Sequence, residues 1–94
     1  MKDSGSFGEL FKFYRKDSGL SQRALANLMG YDSHQYLSNI ETSDTYPNPD
    51  TLKKMCKEME LTKYEKRELF SKYRVEYMAF VHSRAFEKLK GLRV

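Results

Sequence analysis

The sequence lacks nearly every feature that would place it in a membrane, an export route or an enzyme. No apolar run approaches the roughly 18 residues needed to span a bilayer. The opening Met1-Lys2-Asp3-Ser4 has no signal-peptide stretch, so the chain is expected to be cytoplasmic and to have no membrane partner. The one cysteine, Cys56, excludes an internal disulfide and fits a reducing compartment. Within Leu52-Lys53-Lys54-Met55-Cys56 it reads as a helical core position. A glycine-rich phosphate loop is missing. His34 and His82 stand in separate segments, with no carboxylate or cysteine at ligand spacing. No nucleophile–base–orienter set is visible. No metal, cofactor or catalytic residue is therefore expected. No strand-like alternation, internal repeat or low-complexity segment stands out.

What is present is a 94-residue chain, enough for one core, with 39% hydrophobic residues that include six Phe and seven Tyr. Its punctuation marks five helices. Ser6 is a plausible N-cap for a helix from Phe7 to about Asp17, stopped by Ser18-Gly19. Its Phe7, Leu10, Phe11 and Tyr14 recur at spacings of three and four and make one buried face. Ser21 caps a short second helix carrying Leu25, Ala26, Leu28 and Met29, which Gly30 ends. Ser33 is expected to cap a third, running to about Thr42, with Leu37 and Ile40 inward. The pair Asn48-Pro49 opens a fourth, to about Glu60, that buries Leu52, Met55, Cys56 and Met59. Thr62-Lys63-Tyr64-Glu65 matches a capping box. The helix it opens meets no Pro or Gly before Gly91, and spans about 25 residues unless it breaks near His82-Ser83. The fold class is all-α.

Two short helices joined by a tight glycine turn, the second with a polar outer face, describe a helix-turn-helix. The segment resembles the lambda-repressor-like family, also called Cro-type or XRE-type. Gly19-Leu20-Ser21-Gln22, Leu25-Ala26 and Met29-Gly30 are similar to its "G-L-S-Q-x-x-L-A-x-x-x-G" signature. Phe7-Gly8, Phe11-Lys12 and Tyr14-Arg15 resemble its first helix, Ser33 to Glu41 its recognition helix, and Pro47 to Leu61 its closing helix. The resemblance covers roughly residues 6–61. It implies a sequence-specific binder of double-stranded DNA with His34, Gln35 and Asn39 at base-reading positions and Gln22 near the phosphates, within reach of a base. Gln and Asn can bond bidentately to adenine, and His can donate to guanine. Lys12, Ser21, Ser33, Ser38, Thr42 and Tyr46 are the expected backbone contacts, and Arg15 with Glu41 a structural pair. Tyr36 either packs or touches a thymine methyl. Three departures stand out. The turn Tyr31-Asp32-Ser33 is one residue longer than is common, and the loop Thr42-Ser43-Asp44-Thr45-Tyr46 has neither the usual Gly nor a basic residue. In the same loop, Asp44 opposes phosphate.

Net charge is +4, unevenly placed: residues 1–61 hold 8 Lys/Arg against 9 Asp/Glu, residues 62–94 hold 9 against 4. The chain is accordingly expected to divide into a DNA-binding part, 1–61, and a C-terminal helix, 62–94. One part of that helix closes the core. The rest, with Tyr73, Tyr77, Phe80, Val81 and Phe86, is expected to form a homodimer interface or to fold back onto the domain. The expected function is a dimeric transcriptional repressor on a palindromic operator. The alternatives are an autorepressing antitoxin with a small protein partner and an interaction module that no longer reads DNA.

Overall fold

The computed structural model describes residues 5–92 and, within the last helix, side chains as far as residue 84. Its elements are α1 (Phe7–Asp17), α2 (Gln22–Met29), α3 (Gln35–Glu41), α4 (Pro49–Glu58) and α5 (Lys63–Leu92), with no strand among the described residues. The expected caps are in place. Ser6, Ser21 and Asn48 accept the amides of Glu9, Ala24 and Thr51. Thr62 and Glu65 bond each other's amides reciprocally at 2.9 and 3.1 Å. No helix of the described residues is long and apolar enough to cross a membrane.

Two boundaries differ from the sequence expectation. α3 begins at Gln35, with His34 as the cap residue and no side-chain cap bond. The longer turn explains this: Ser33 Oγ reaches only the amide of Gln35, at 3.3 Å, a local turn rather than a cap one turn ahead. α5 runs for 30 residues and passes through His82-Ser83 unbroken, as a segment without Pro can.

Each of α1 to α4 ends the same way. A residue one or two positions past the helix turns left-handed, and the next amide reaches back five residues: Leu20 to Arg15, Tyr31 to Ala26, Asp44 to Asn39 and Leu61 to Cys56. Gly19 and Gly30 fill the left-handed position in the first two, but Ser43 (φ 68°) and Glu60 (φ 55°) fill it in the others. A left-handed residue with a Cβ costs about 1–2 kcal/mol.

The core gathers Phe7 and Phe11 of α1, Leu25 of α2, Leu37 and Ile40 of α3, Leu52, Met55 and Cys56 of α4, and Leu69 of α5, all fully buried. Burial pushes the Cys56 thiol up to about 11, so the core cysteine is a packing residue and not a nucleophile. α1 packs against α3 and α5, and α2 against α3 and α4. At Gly8 the α1 backbone lies against the end of α3, where an added Cβ would meet the carbonyls of Ile40 and Glu41 at 2.6 and 2.7 Å. Contacts of Tyr14 with Glu68 and of Phe7 with Glu76 set α5 antiparallel to α1.

A buried ion pair joins α1 to α3. Arg15 Nε and Nη2 donate to the two carboxylate oxygens of Glu41 at 2.6 and 3.2 Å, with both side chains almost wholly enclosed. Arg15 Nη1 also donates to the Leu20 carbonyl at 2.7 Å, and Gln22 Nε2 to Glu41 Oε1 at 2.9 Å. One guanidinium and one carboxylate therefore hold α1, the start of α2 and the end of α3 together.

Two tests follow from this packing. Glu60→Gly should stabilise the fold by about 1 kcal/mol by relieving the left-handed strain, whereas Gly8→Ala should destabilise it by about 1–3 kcal/mol by forcing α1 off α3. Opposite shifts of thermal midpoint would be measured, and equal signs would contradict the geometry. Arg15→Ala leaves Glu41 buried without its partner and should cost about 3–5 kcal/mol. Arg15→Met with Glu41→Leu should recover much of that loss in chemical denaturation.

Candidate nucleic-acid interface

The reading surface starts from α3, a helix of seven residues that local propensity alone does not sustain. Leu37 and Ile40, three apart, go fully into the core, which leaves the positions between them facing away. Gln35 is exposed there, with Ser38 and Asn39 half-buried beside it. Gln35 Nε2 donates to Asn39 Oδ1 at 3.0 Å across one turn. That single bond leaves the Gln35 oxygen and its second amide hydrogen available, an acceptor and a donor side by side. It also leaves both hydrogens on Asn39 Nδ2.

His34, expected on the helix, stands at its threshold and is half-buried. Gln22 is half-buried at the start of α2, its amide drawn toward Glu41. Tyr36, whose role the sequence left open, packs edge-on against Tyr31 at 5.4 Å on the margin of the core. Burial raises both phenols. Ser21 and Ser33 use their oxygens as acceptors for Ala24 and Gln35, which leaves each hydroxyl hydrogen free to donate. Lys12 is exposed on α1.

The loop after α3 is closed on itself. Asn39 O accepts the amides of Asp44 and Thr45 at 2.8 and 3.3 Å, and Ile40 O accepts that of Ser43. Thr42 Oγ1 lies 3.2 Å from Asn39 O and 3.1 Å from Asp44 Oδ2, so its one hydrogen is engaged inside the loop. Tyr46 is held on three sides. Its ring stacks on Phe7 at 5.9 Å and meets Phe80 at 5.0 Å, and its hydroxyl donates to Glu76 Oε1 at 2.8 Å. Burial first, and then the Glu76 carboxylate, raise the Tyr46 phenol. The expected backbone contacts Thr42 and Tyr46 thus turn their hydroxyls inward.

Glu76 itself gave no sign in the sequence. Its other oxygen accepts the Phe7 amide at 2.9 Å, a carboxylate at the positive end of α1. A single Glu on a long charged helix is read as solvated, and only the pairing of α5 with α1 shows otherwise.

Of the residues expected to join two copies, Tyr73 belongs to its own core. It is 3% exposed, it donates to Pro47 O at 2.6 Å, and it stacks on Tyr77 at 4.9 Å. Tyr77 and Phe80 lie half-buried on the same domain. Val81 is outward and 44% exposed, and Phe86 falls outside the described side chains. Among its described side chains, α5 leaves Tyr64 exposed near its start and, further along, Val75, Met78 and Val81 at successive spacings of three.

A helix-turn-helix family model matches residues 11–66, from the first half of α1 to the opening turn of α5. No curated protein and no solved structure matches the chain. The match covers more than half of the sequence and contains both α2 and α3 with the turn between them. The chain belongs to the lambda-repressor-like, Cro/XRE-type family of helix-turn-helix DNA-binding transcription regulators.

Proposed function

We propose that this regulator is a repressor that reads a palindromic operator as a homodimer, with α3 in the major groove. The observation that carries the reading is the Gln35–Asn39 amide pair, held outward on a helix whose other face is wholly buried. In this pose Gln35 presents its oxygen to adenine N6 and its remaining amide hydrogen to N7. Asn39 orients it and offers donors of its own to a neighbouring base. His34, at the helix threshold, donates to a guanine acceptor, and Gln22 reaches the phosphate or base beside it. Ser21, Ser33, Ser38 and Lys12 bond phosphates and set the register, because backbone contacts position while base contacts specify.

A single seven-residue helix meets only a few base pairs, so two copies on half-sites one turn apart gain both affinity and specificity. The exposed Val75–Met78–Val81 stripe, 72, 66 and 44% exposed, is the apolar face suited to join them. It takes the place of Tyr73, which is enclosed in its own domain.

Selection from a randomised duplex pool tests the reading directly. The wild-type chain should enrich a palindromic site. A variant with His34, Gln35 and Asn39 all changed to Ala should keep its helical content and lose that consensus. If the folded wild-type chain enriches nothing, the chain is not a sequence reader, and co-purification of a small protein would then point to an interaction module. Light scattering at micromolar concentration should give a dimer's mass, and a monomer there would remove the palindrome argument.

A further inference from the structure

The DNA-reading surface has a deficit that the rest of the chain is built to offset. Duplex DNA carries one negative charge per roughly 1.7 Å of axis, and binding at physiological salt depends on cations that replace its counterions. Yet α3 has no basic residue, and its Glu41 is already neutralised within the core by Arg15. The loop that follows carries Asp44, and its amides at residues 43, 44 and 45 all turn inward to α3 carbonyls. With the Thr42 and Tyr46 hydroxyls also engaged, that loop offers a phosphate no cation.

α5 passes over this same loop in three successive contacts. Tyr73 bonds the Pro47 carbonyl, Glu76 bonds the Tyr46 hydroxyl, and Phe80 packs on the Tyr46 ring. One turn further on, Arg84 lays its guanidinium over Phe80, 5.3 Å from the ring centroid, while the residue as a whole stays exposed. The ring steadies the long side chain, since a cation over an aromatic face gains about 0.5–1 kcal/mol at an exposed site. Among the described residues no carboxylate comes within ion-pair distance of it. The fork geometry of a guanidinium also matches a phosphate bidentately. Charge partition points the same way, because residues 62–94 hold 9 Lys/Arg against 4 Asp/Glu.

We propose that Arg84, presented beside the α3–α4 loop by the Phe80 ring that packs on Tyr46, is a DNA-backbone contact that binds a phosphate flanking the bases read by α3. The assignment rests on the DNA-reading function above. Phe80 and Tyr46 are positioning residues in it, and α5 supplies the cation that the loop of this chain lacks.

The test measures affinity from 50 to 300 mM salt for the wild-type chain, Arg84→Ala and Arg84→Lys. Two probes are used: the duplex recovered by selection and a scrambled duplex of equal length. Arg84→Ala should reduce the slope of log affinity against log salt by about 0.9, the value for one phosphate. It should weaken binding about threefold to tenfold near physiological salt, by a similar factor on both probes. Arg84→Lys should restore most of the slope, since the charge is kept. An Ala variant with wild-type slope and affinity would overturn the assignment while leaving the DNA-reading function standing. An Ala variant whose mass in light scattering falls below that of the wild type would give Arg84 to an interface between copies, and would overturn it also. A folded wild-type chain that binds neither probe at any salt would remove both this assignment and the function beneath it.

Discussion

The Arg15–Glu41 pair is the constraint on which the reading surface depends. Seven residues cannot hold a helix in water, and the start of α3 has no side-chain cap to help it. Its geometry is imposed from outside: Leu37 and Ile40 sink one face into the core, and Gly8 lets α1 lie directly against its last carbonyls. The guanidinium of α1 then takes hold of its final side chain. Such a pair contributes little net stability compared with an apolar substitute, because both ions lose their water. It does fix direction, since two nitrogens facing two oxygens allow far fewer relative poses of α1 and α3 than a greasy contact would. The same carboxylate takes the Gln22 amide, so the start of α2 and the end of α3 move together. For a DNA reader, whose base contacts need the helix seated accurately, fixing the pose is worth more than raw stability.

Most of this was legible in the sequence, and what was not has identifiable causes. Ser6, Ser21 and Asn48 could be read as caps because capping is local, decided within three residues. Gly19 and Gly30 announced their turns, while Ser43 and Glu60 hid two turns of the same geometry behind ordinary residue types. The start of α3 slipped past Ser33 because one extra turn residue changes which amide a hydroxyl can reach. Long-range partners were the real blind spot. Nothing at Glu76 suggests that it will bond an amide 69 residues away and a phenol 30 residues away. The hydroxyl of Tyr46, an expected phosphate ligand, is withdrawn for that reason. Residue types suited to bind phosphate were visible, but their prior commitments were not.

The aromatic stripe of α5 shows the same limit from another side. Periodicity says that Tyr73, Tyr77, Phe80 and Val81 share a helix, and not what will cover them. The core claims Tyr73 completely and Tyr77 in part, and Phe80 packs on the Tyr46 ring of the α3–α4 loop. Beyond Tyr73, the large apolar side chains that face outward among the described residues are Val75, Met78 and Val81, of which only Val81 was in the expected set. The helix is therefore shared along its length between closing its own domain and meeting something else.

Charge follows a similar division of labour. A reading face made of amides, an imidazole and hydroxyls carries sequence information but little attraction for DNA as such, since affinity without specificity comes from cations on phosphates. Under the proposed reading, placing the positive charge on α5 separates the two tasks onto two elements. An α3 free of Lys and Arg pays no penalty of being held on every wrong sequence by its own charge. Specificity is a ratio of affinities, and it falls when the sequence-independent term grows on its own. The contacts from Tyr73 to Phe80 bring the middle of α5 to the loop beside α3 without adding charge to α3 itself. Under the proposed reading, recognition and attraction can then change separately, the first at Gln35 and Asn39, the second on α5.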